Sequence, residues 1–201
     1  MRNTIGIPFS DLDPAPRRFL AFSFFNTLSW QCIIGPVLVL FGRHLDMPAA
    51  WVGLVTAMVP FSCMVVVLTN TLVLRAGPKR LMLWTWFFRN LLAASIFFLP
   101  YALHRWGREA AWLVFLGSTA AFCLARSVGV GGWFPWLHEV VPQRQRGIYF
   151  SSEQTLVQAV NVGLIFGQGL ILTDSPTIHR FMILFGLGII AGFVSLLFMA
   201  R

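Results

Sequence analysis

The sequence predicts an all-α integral membrane protein, and its composition, its long apolar stretches and its short polar connections support this class. Apolar residues make up 57% of the 201 positions, charged residues only 11%, and the mean hydropathy is +0.75. Soluble domains usually contain about 45–50% apolar and about 25% charged residues. Because a soluble fold of this length could not bury so much apolar surface, we expect lipid to cover it.

Six stretches of the chain have the length that a membrane-spanning helix needs, about 20 apolar residues. Short connections rich in Gly, Pro and basic residues separate them, and such connections are typical of turns. We predict a cytoplasmic N-terminal tail over residues 1–18 and a six-helix transmembrane domain over residues 19–201. The predicted spans are 19–42, 50–74, 81–103, 110–137, 148–172 and 181–200.

The first predicted span follows a tail that ends in a Pro- and Arg-containing segment. It is too long for the apolar core of a signal peptide, and no small-residue cleavage signal follows it, so we interpret it as uncleaved. Gly35-Pro36 in this span, Pro60 in the second and Pro135 in the fourth predict interrupted helices at membrane depth. Polar connections at 43–48, 75–80, 104–108, 142–147 and 173–180 end the first five spans in turn.

The distribution of basic residues predicts the orientation. Lys and Arg are more frequent in the cytoplasmic connections of membrane proteins. Nine basic residues fall on one side and four on the other, which predicts a membrane protein with both termini in the cytoplasm. The two sets are Arg2, Arg17, Arg18, Arg75, Lys79, Arg80, Arg144, Arg146 and Arg201, and Arg43, Arg105, Arg108 and Arg180.

The formal net charge of +8 does not indicate a nucleic-acid partner, because the basic residues form short clusters and no continuous face. The three cysteines lie in apolar stretches without a CxxC pair, and the four histidines lie at span ends or in connections. Neither pattern supplies a metal site, and the sequence contains no nucleophile elbow or phosphate-binding lysine motif. We therefore predict a protein that is not an enzyme and that has no cofactor or metal.

Two arginines fall inside predicted spans, where a charge at mid-membrane costs at least about 2.5–3.5 kcal/mol. Arg89 is close enough to a helix end to reach the interface or a neighbouring helix, and we favour a structural role for it. Arg126 lies deeper, on a helix face that it shares with Thr119, Phe122 and Trp133. Two interpretations of Arg126 stay open: it lines a solute path or binds an anionic group or a carboxylate partner, or it fastens its helix to a neighbour through carbonyls or Glu153.

The fifth predicted span carries an amide stripe, in which Gln154, Gln158, Asn161 and Gln168 recur at helical spacing. Unpaired amides are costly in hydrocarbon, so this face must meet protein or water. Interhelical hydrogen bonds and a hydrated pathway are both consistent with the stripe. Glu153 beside it is the only acid within a span; it either couples transport to protons or caps the helix near its N-terminus.

The loop after the second predicted span resembles the signature of the major facilitator superfamily. The match is residues 75–80, Arg-Ala-Gly-Pro-Lys-Arg, while Asn70 and Leu74 stand where the signature has glycine and aspartate. Residues 142–150 are similar to the family's loop between its fourth and fifth helices, and residues 25–31 with 84–89 look like a largely uncharacterised bacterial branch. Arg126 with the glycines at 129, 131 and 132 resembles the family's fourth helix.

This resemblance implies an architecture and a function. Members of the superfamily contain two six-helix halves, each built from two inverted three-helix repeats, with solute between the halves. The chain would then be the N-terminal half, present as a fragment or as one of two copies. It would work with a second six-helix half, in the bacterial inner (plasma) membrane, as a secondary transporter that moves a small solute by alternating access.

We predict two groups of functional residues on this basis. Arg75, Gly77, Lys79 and Arg80 would form the gating loop. The residues predicted to line the solute site are Asn26, Trp30, Gln31, Arg126, Gln158 and Asn161. The rival hypothesis is a non-transporting membrane scaffold or an inactive remnant.

Overall fold

The computed structural model describes residues 12–173 and 176–200, and within these ranges every regular element is a helix. Six helical segments are long and apolar enough to cross a bilayer, which confirms the predicted all-α class with six spans. We call them spans 1 to 6: Pro14–His44, Ala49–Thr69, Pro78–Trp106, Arg108–Val140, Gln143–Ile171 and Ile178–Ala200. Most of the predicted tail lies outside the described residues, and span 1 begins at Pro14 where the sequence predicted position 19.

Span 1 is interrupted at the predicted position. It consists of the helices Pro14–Ile33 and Pro36–His44. Pro36 has no N–H to donate, so the backbone hydrogen bond that would cross the junction cannot form. The Gly35-Pro36 dipeptide therefore divides span 1 into a long and a short piece.

The interruptions predicted at Pro60 and Pro135 are wrong. Pro60 lies inside the helix Ala49–Cys63, and Pro135 lies inside the continuous 33-residue helix of span 4. A proline removes one N–H donor, and a membrane helix tolerates this loss when local adjustments satisfy the freed carbonyl. Beyond Pro60 the helix tightens into the 3₁₀ segment Met64–Thr69.

The remaining elements are helical with short junctions. The helix Asn70–Ala76 extends span 2. Span 3 consists of Pro78–Ala93, the 3₁₀ segment Ala94–Phe98 and Leu99–Trp106. Span 5 opens with the 3₁₀ turn Gln143–Gln145 and continues as Arg146–Ile171, and span 6 is the single helix Ile178–Ala200.

Polar contacts define the two ends of the bundle. At the end that we call the basic end, the Asp13 N–H donates to Gln145 Oε1 at 3.3 Å, and Asp13 pairs with Arg144 at 3.8 Å. At the opposite end, Asp46 pairs with Arg108 at 2.8 Å. These contacts join the starts of spans 1 and 5 at one end, and the end of span 1 with the start of span 4 at the other.

Small residues let three pairs of spans approach closely. A Cβ at Gly132 would lie 2.9 Å from the Pro78 carbonyl oxygen, and one at Gly188 would lie 2.8 Å from Cys32 Cβ. Gly192 packs against Asn90 of span 3. By contrast, no described atom outside its own stretch of helix lies within 4 Å of the Cβ position of Gly163 in span 5, so this glycine mediates no close packing.

The core is closed at the opposite end. Phe41 of span 1 is fully buried, and its ring lies 5.1 Å from that of Phe115, 4.9 Å from that of Phe181 and 5.2 Å from that of Phe185. A second cluster of apolar side chains lies toward the basic end and includes Phe22, Met82, Trp86, Trp136, Tyr149 and Met199. Spans 2 and 5 are the least covered. In their apolar 18-residue stretches 17% and 6% of the residues are buried, compared with 33–44% in the other spans.

Candidate solute cavity

A cavity of about 290 Å³ lies among spans 1, 3, 4 and 5, between mid-depth and the basic end. Ligand sites are commonly clefts of about 300–1,000 Å³ with mostly apolar walls and a few polar groups. This cavity has that character, because aromatic and aliphatic side chains surround one guanidinium and one carboxyl group. The lining residues are Phe22, Ser23, Asn26, Thr27, Met82, Trp86, Arg126, Val130, Trp133, Phe134, Glu153 and Val157.

Arg126 supplies the positive charge of the cavity wall. Its guanidinium carbon lies 4.4 Å from the centroid of the Trp30 ring, a distance at which a cation is attracted to the ring face. The thiols of Cys63 and Cys123 also lie near it, and Arg89 is close enough to interact with it electrostatically. Among the described residues no ion pair joins Arg126 to Glu153, so the predicted fastening through that acid is not formed.

Arg89 lies behind the cavity wall and is fully buried. Its Nη1 donates to Asn26 Oδ1 at 3.0 Å, and its Nε and Nη2 donate to Asn90 Oδ1 at 3.3 and 3.2 Å. The rings of Trp86 and Phe122 lie 4.7 and 4.9 Å from its guanidinium carbon. Neutral oxygens and aromatic faces thus hold this charge, which agrees with the structural role that we favoured.

Asn26 connects the buried arginine to the cavity. Its Oδ1 accepts hydrogen bonds from both Arg89 and Trp86 Nε1, the second at 3.0 Å. Asn26 also lines the cavity. Any solute contact with this amide would therefore be transmitted directly to the hydrogen bonds of Arg89.

Glu153 forms the negative part of the cavity. The hydroxyl of Ser23 donates to Glu153 Oε1 at 2.5 Å, which fixes the acid against span 1. Tyr149, one helical turn earlier, is fully buried and its hydroxyl lies near both residues. Glu153 is seven residues from the start of the helix Arg146–Ile171, beyond the first turn that an N-terminal cap occupies. The capping interpretation of Glu153 is therefore wrong.

The amide stripe divides between two environments. Gln31 Nε2 donates to Asn161 Oδ1 at 2.8 Å, and Gln168 Nε2 donates to the Gln31 carbonyl oxygen at 3.0 Å. Gln31 lies four residues before Gly35, so Gln168 satisfies a carbonyl at the interruption of span 1. Gln154 and Gln158 are exposed. Interhelical bonding thus accounts for two of the four amides.

The predicted solute-site residues are therefore not all together. Asn26 and Arg126 line the cavity, as does Glu153, while Trp30 contacts it only through Arg126. Gln31 and Asn161 pair with each other outside the cavity lining, and Gln158 lies on the exposed side of span 5. Fewer of the predicted polar residues and more aromatic rings therefore line the cavity than the sequence predicted.

The predicted gating loop lies at the basic end. Gly77 has φ +78° and ψ 147°, a conformation that side-chain-bearing residues rarely adopt. Lys79 lies 5.9 Å from the ring centroid of Trp136 of span 4, and Arg75 and Arg80 are exposed. The glycine is thus required by the backbone of a one-residue turn between two helices.

Sequence reasoning placed Trp133 on the face of Arg126 but missed Phe22 and Trp86 as lining residues. Phe22 lies 6.2 Å from Trp86 and 5.3 Å from Trp133, between ring centroids, so the three rings form a continuous wall. Trp86 is three residues before Arg89 and Trp133 is seven after Arg126, spacings that place each ring on the face of its arginine. That spacing is the signal that could have identified the wall.

The fold and the cavity define a membrane protein made of six apolar helices, with a polar site at membrane depth. Among the described residues no three His, Cys, Asp or Glu side chains converge to hold a metal ion. Comparisons with protein-family models, with curated proteins and with solved structures give no match. The function is therefore argued from the cavity itself.

Proposed function

We propose that this chain is a six-helix half of a secondary transporter of the major facilitator type, which moves a small solute by alternating access. The observation that carries the proposal is the cavity that contains Arg126 and Glu153. Ionisable groups at membrane depth are energetically unfavourable and usually mark a solute or ion pathway. An arginine facing a cavity, with no acidic partner among the described residues, is better explained by a solute than by helix packing.

The uncovered faces of spans 2 and 5 support the second part of the proposal. Both carry large exposed apolar side chains, and span 5 also exposes the amides of Gln154 and Gln158. Exposed amides are unfavourable against hydrocarbon. A second six-helix half, from the same or another chain, would cover these faces and complete the cavity, with the inner membrane and a cytoplasmic basic end as the setting.

Transport can be tested without knowing the solute. Proteoliposomes containing the protein would be incubated with a defined mixture of small metabolites, under imposed proton, sodium and potential gradients. Mass spectrometry would then measure which compounds accumulate inside. We expect at least one compound to accumulate, and we expect Arg126→Gln to abolish accumulation while the exposed Arg105→Gln variant retains it.

The rival function is a non-transporting scaffold, which Leu74 favours because the family signature has an aspartate there. Leu74 is 79% exposed, and its side chain cannot form the charged contact that an aspartate would form there. If no compound accumulates above protein-free liposomes under any gradient, while circular dichroism shows an intact helical fold, the scaffold hypothesis replaces the transporter.

A further inference from the structure

Positive charge exceeds negative charge in the membrane interior of this protein. Away from the span ends, the charged side chains of the described residues are Arg89, Arg126 and Glu153. The interior therefore contains two guanidinium groups and one carboxyl group. A region of low dielectric constant amplifies this imbalance, because charges interact more strongly there than in water.

Only one of the two arginines can reach a solute. Arg89 is fully buried, and its hydrogen bonds to Asn26 and Asn90 hold it behind the wall. Arg126 lines the cavity with its guanidinium near the face of Trp30. A guanidinium group recognises planar oxyanions in a two-point geometry through its N–H donors, and no acid among the described residues pairs with Arg126.

Glu153 and Arg126 form no ion pair, and they contact span 1 at different levels. Glu153 is bound to Ser23, whereas Arg126 contacts Trp30, seven residues further along span 1. A rise of 1.5 Å per residue separates these two levels by about 10 Å along the helix axis. The cavity thus has a positive pole at mid-depth and a negative pole toward the basic end.

We propose that the solute of this cavity is a small organic anion, whose carboxylate or phosphate group binds Arg126 and whose apolar body lies against Trp86 and Trp133. One bound negative charge balances the excess positive charge of the interior. A neutral solute would leave this excess unchanged, and a cationic solute would increase it. The identity of the transported class rests on the proposed function, whereas the binding preference rests on the cavity alone.

The test is a binding measurement on the purified full chain in lipid nanodiscs. Four probes share one aromatic ring and differ in charge: benzoate, phenyl phosphate, benzyl alcohol and benzylamine. Quenching of intrinsic tryptophan fluorescence reports binding, since Trp86 and Trp133 line the cavity and Trp30 contacts Arg126. We expect benzoate or phenyl phosphate to bind at least about tenfold more tightly than the alcohol and the amine, as charge-assisted hydrogen bonds allow. The stronger of the two anions identifies the group.

Variants separate Arg126 from the general charge of the protein. Arg126→Gln should reduce the affinity for the anion about tenfold or more and leave the alcohol unchanged. Arg126→Lys should retain part of the preference, and Arg105→Gln, at the opposite end, should retain all of it. Equal affinity for the four probes in the wild-type protein, including the absence of measurable binding, overturns the proposal. An anion preference that survives in Arg126→Gln also overturns it.

Failure of this inference differs from failure of the transporter proposal. Anion binding at Arg126 without flux in proteoliposomes would remove the transport function and leave the anion site. Flux of neutral or cationic solutes, without an anion preference in the binding assay, would remove the anion site and leave transport.

Discussion

Substituting Gly192 in span 6 tests how the packing of the bundle supports the buried arginine. A Cβ built on Gly192 would lie 2.7 Å from Asn90 Cγ and 2.9 Å from its Nδ2, whereas ordinary contacts begin near 3.4 Å. The Asn90 amide would have to move, and its Oδ1 is the acceptor for two hydrogen bonds from Arg89. Gly192→Ala therefore perturbs the environment of the arginine without touching it.

The magnitude follows from a matched substitution in span 5. Gly163→Ala introduces the same methyl group where no described atom lies within 4 Å, so both variants gain about 1 kcal/mol of helix propensity. Overpacking costs about 1–3 kcal/mol, and only Gly192→Ala incurs it. We expect Gly192→Ala to be less stable than Gly163→Ala by about 1–3 kcal/mol.

Unfolding of both variants by sodium dodecyl sulfate in mixed micelles, followed by far-UV circular dichroism, measures the difference. Intrinsic tryptophan fluorescence should also change in the native state of Gly192→Ala, because Trp86 contacts Arg89. Equal unfolding free energies for the two variants would refute the packing argument and the close approach of spans 3 and 6.

Three further predictions concern other parts of the fold. Gln168→Leu should destabilise the protein by about 1–3 kcal/mol because the Gln31 carbonyl loses its donor. The control Gln158→Leu, at an exposed position, should leave the stability unchanged. Equal thermal stability of the two variants would contradict this prediction. Gly77→Ala should cost about 1–3 kcal/mol through its positive φ, and an unchanged thermal midpoint would be inconsistent with that turn. N-ethylmaleimide should alkylate the exposed Cys63 faster than the two buried cysteines, by mass spectrometry of the solubilised chain; similar rates for all three would count against the exposed face of span 2.

The sequence predicted the number and the approximate position of the spans because lipid imposes a simple length rule on apolar helices. It also predicted the interruption at Gly35-Pro36. It did not distinguish this site from Pro60 and Pro135, whose helices continue. Whether a proline ends a membrane helix depends on what satisfies the freed carbonyl. At the Gly35-Pro36 interruption, Gln168, more than 130 residues away in the chain, donates to the carbonyl of Gln31, four residues before Gly35.

Prediction of the site was limited for a related reason. Helical spacing placed Arg126 on a polar and aromatic face and the four amides on one side of span 5, but spacing does not tell which neighbour covers each residue. Span 1 covers Asn161 and Gln168 and leaves Gln158 exposed. The pairing of Asn26 with Arg89 likewise joins spans 1 and 3, which no local pattern in the sequence could indicate.

The interruption in span 1 separates two kinds of attachment. The long piece, Pro14–Ile33, is tied to span 5 by Ser23–Glu153 and Gln31–Asn161. The nine-residue piece Pro36–His44 instead carries Phe41, whose ring is enclosed by rings of spans 4 and 6. Both pieces also pack against span 6, the long piece through Cys32 at Gly188 and the short piece through Phe41 at Phe185. A displacement of span 5 relative to span 6 would therefore pull on the long piece and strain the backbone between the two pieces. The bending would then concentrate at a single dipeptide.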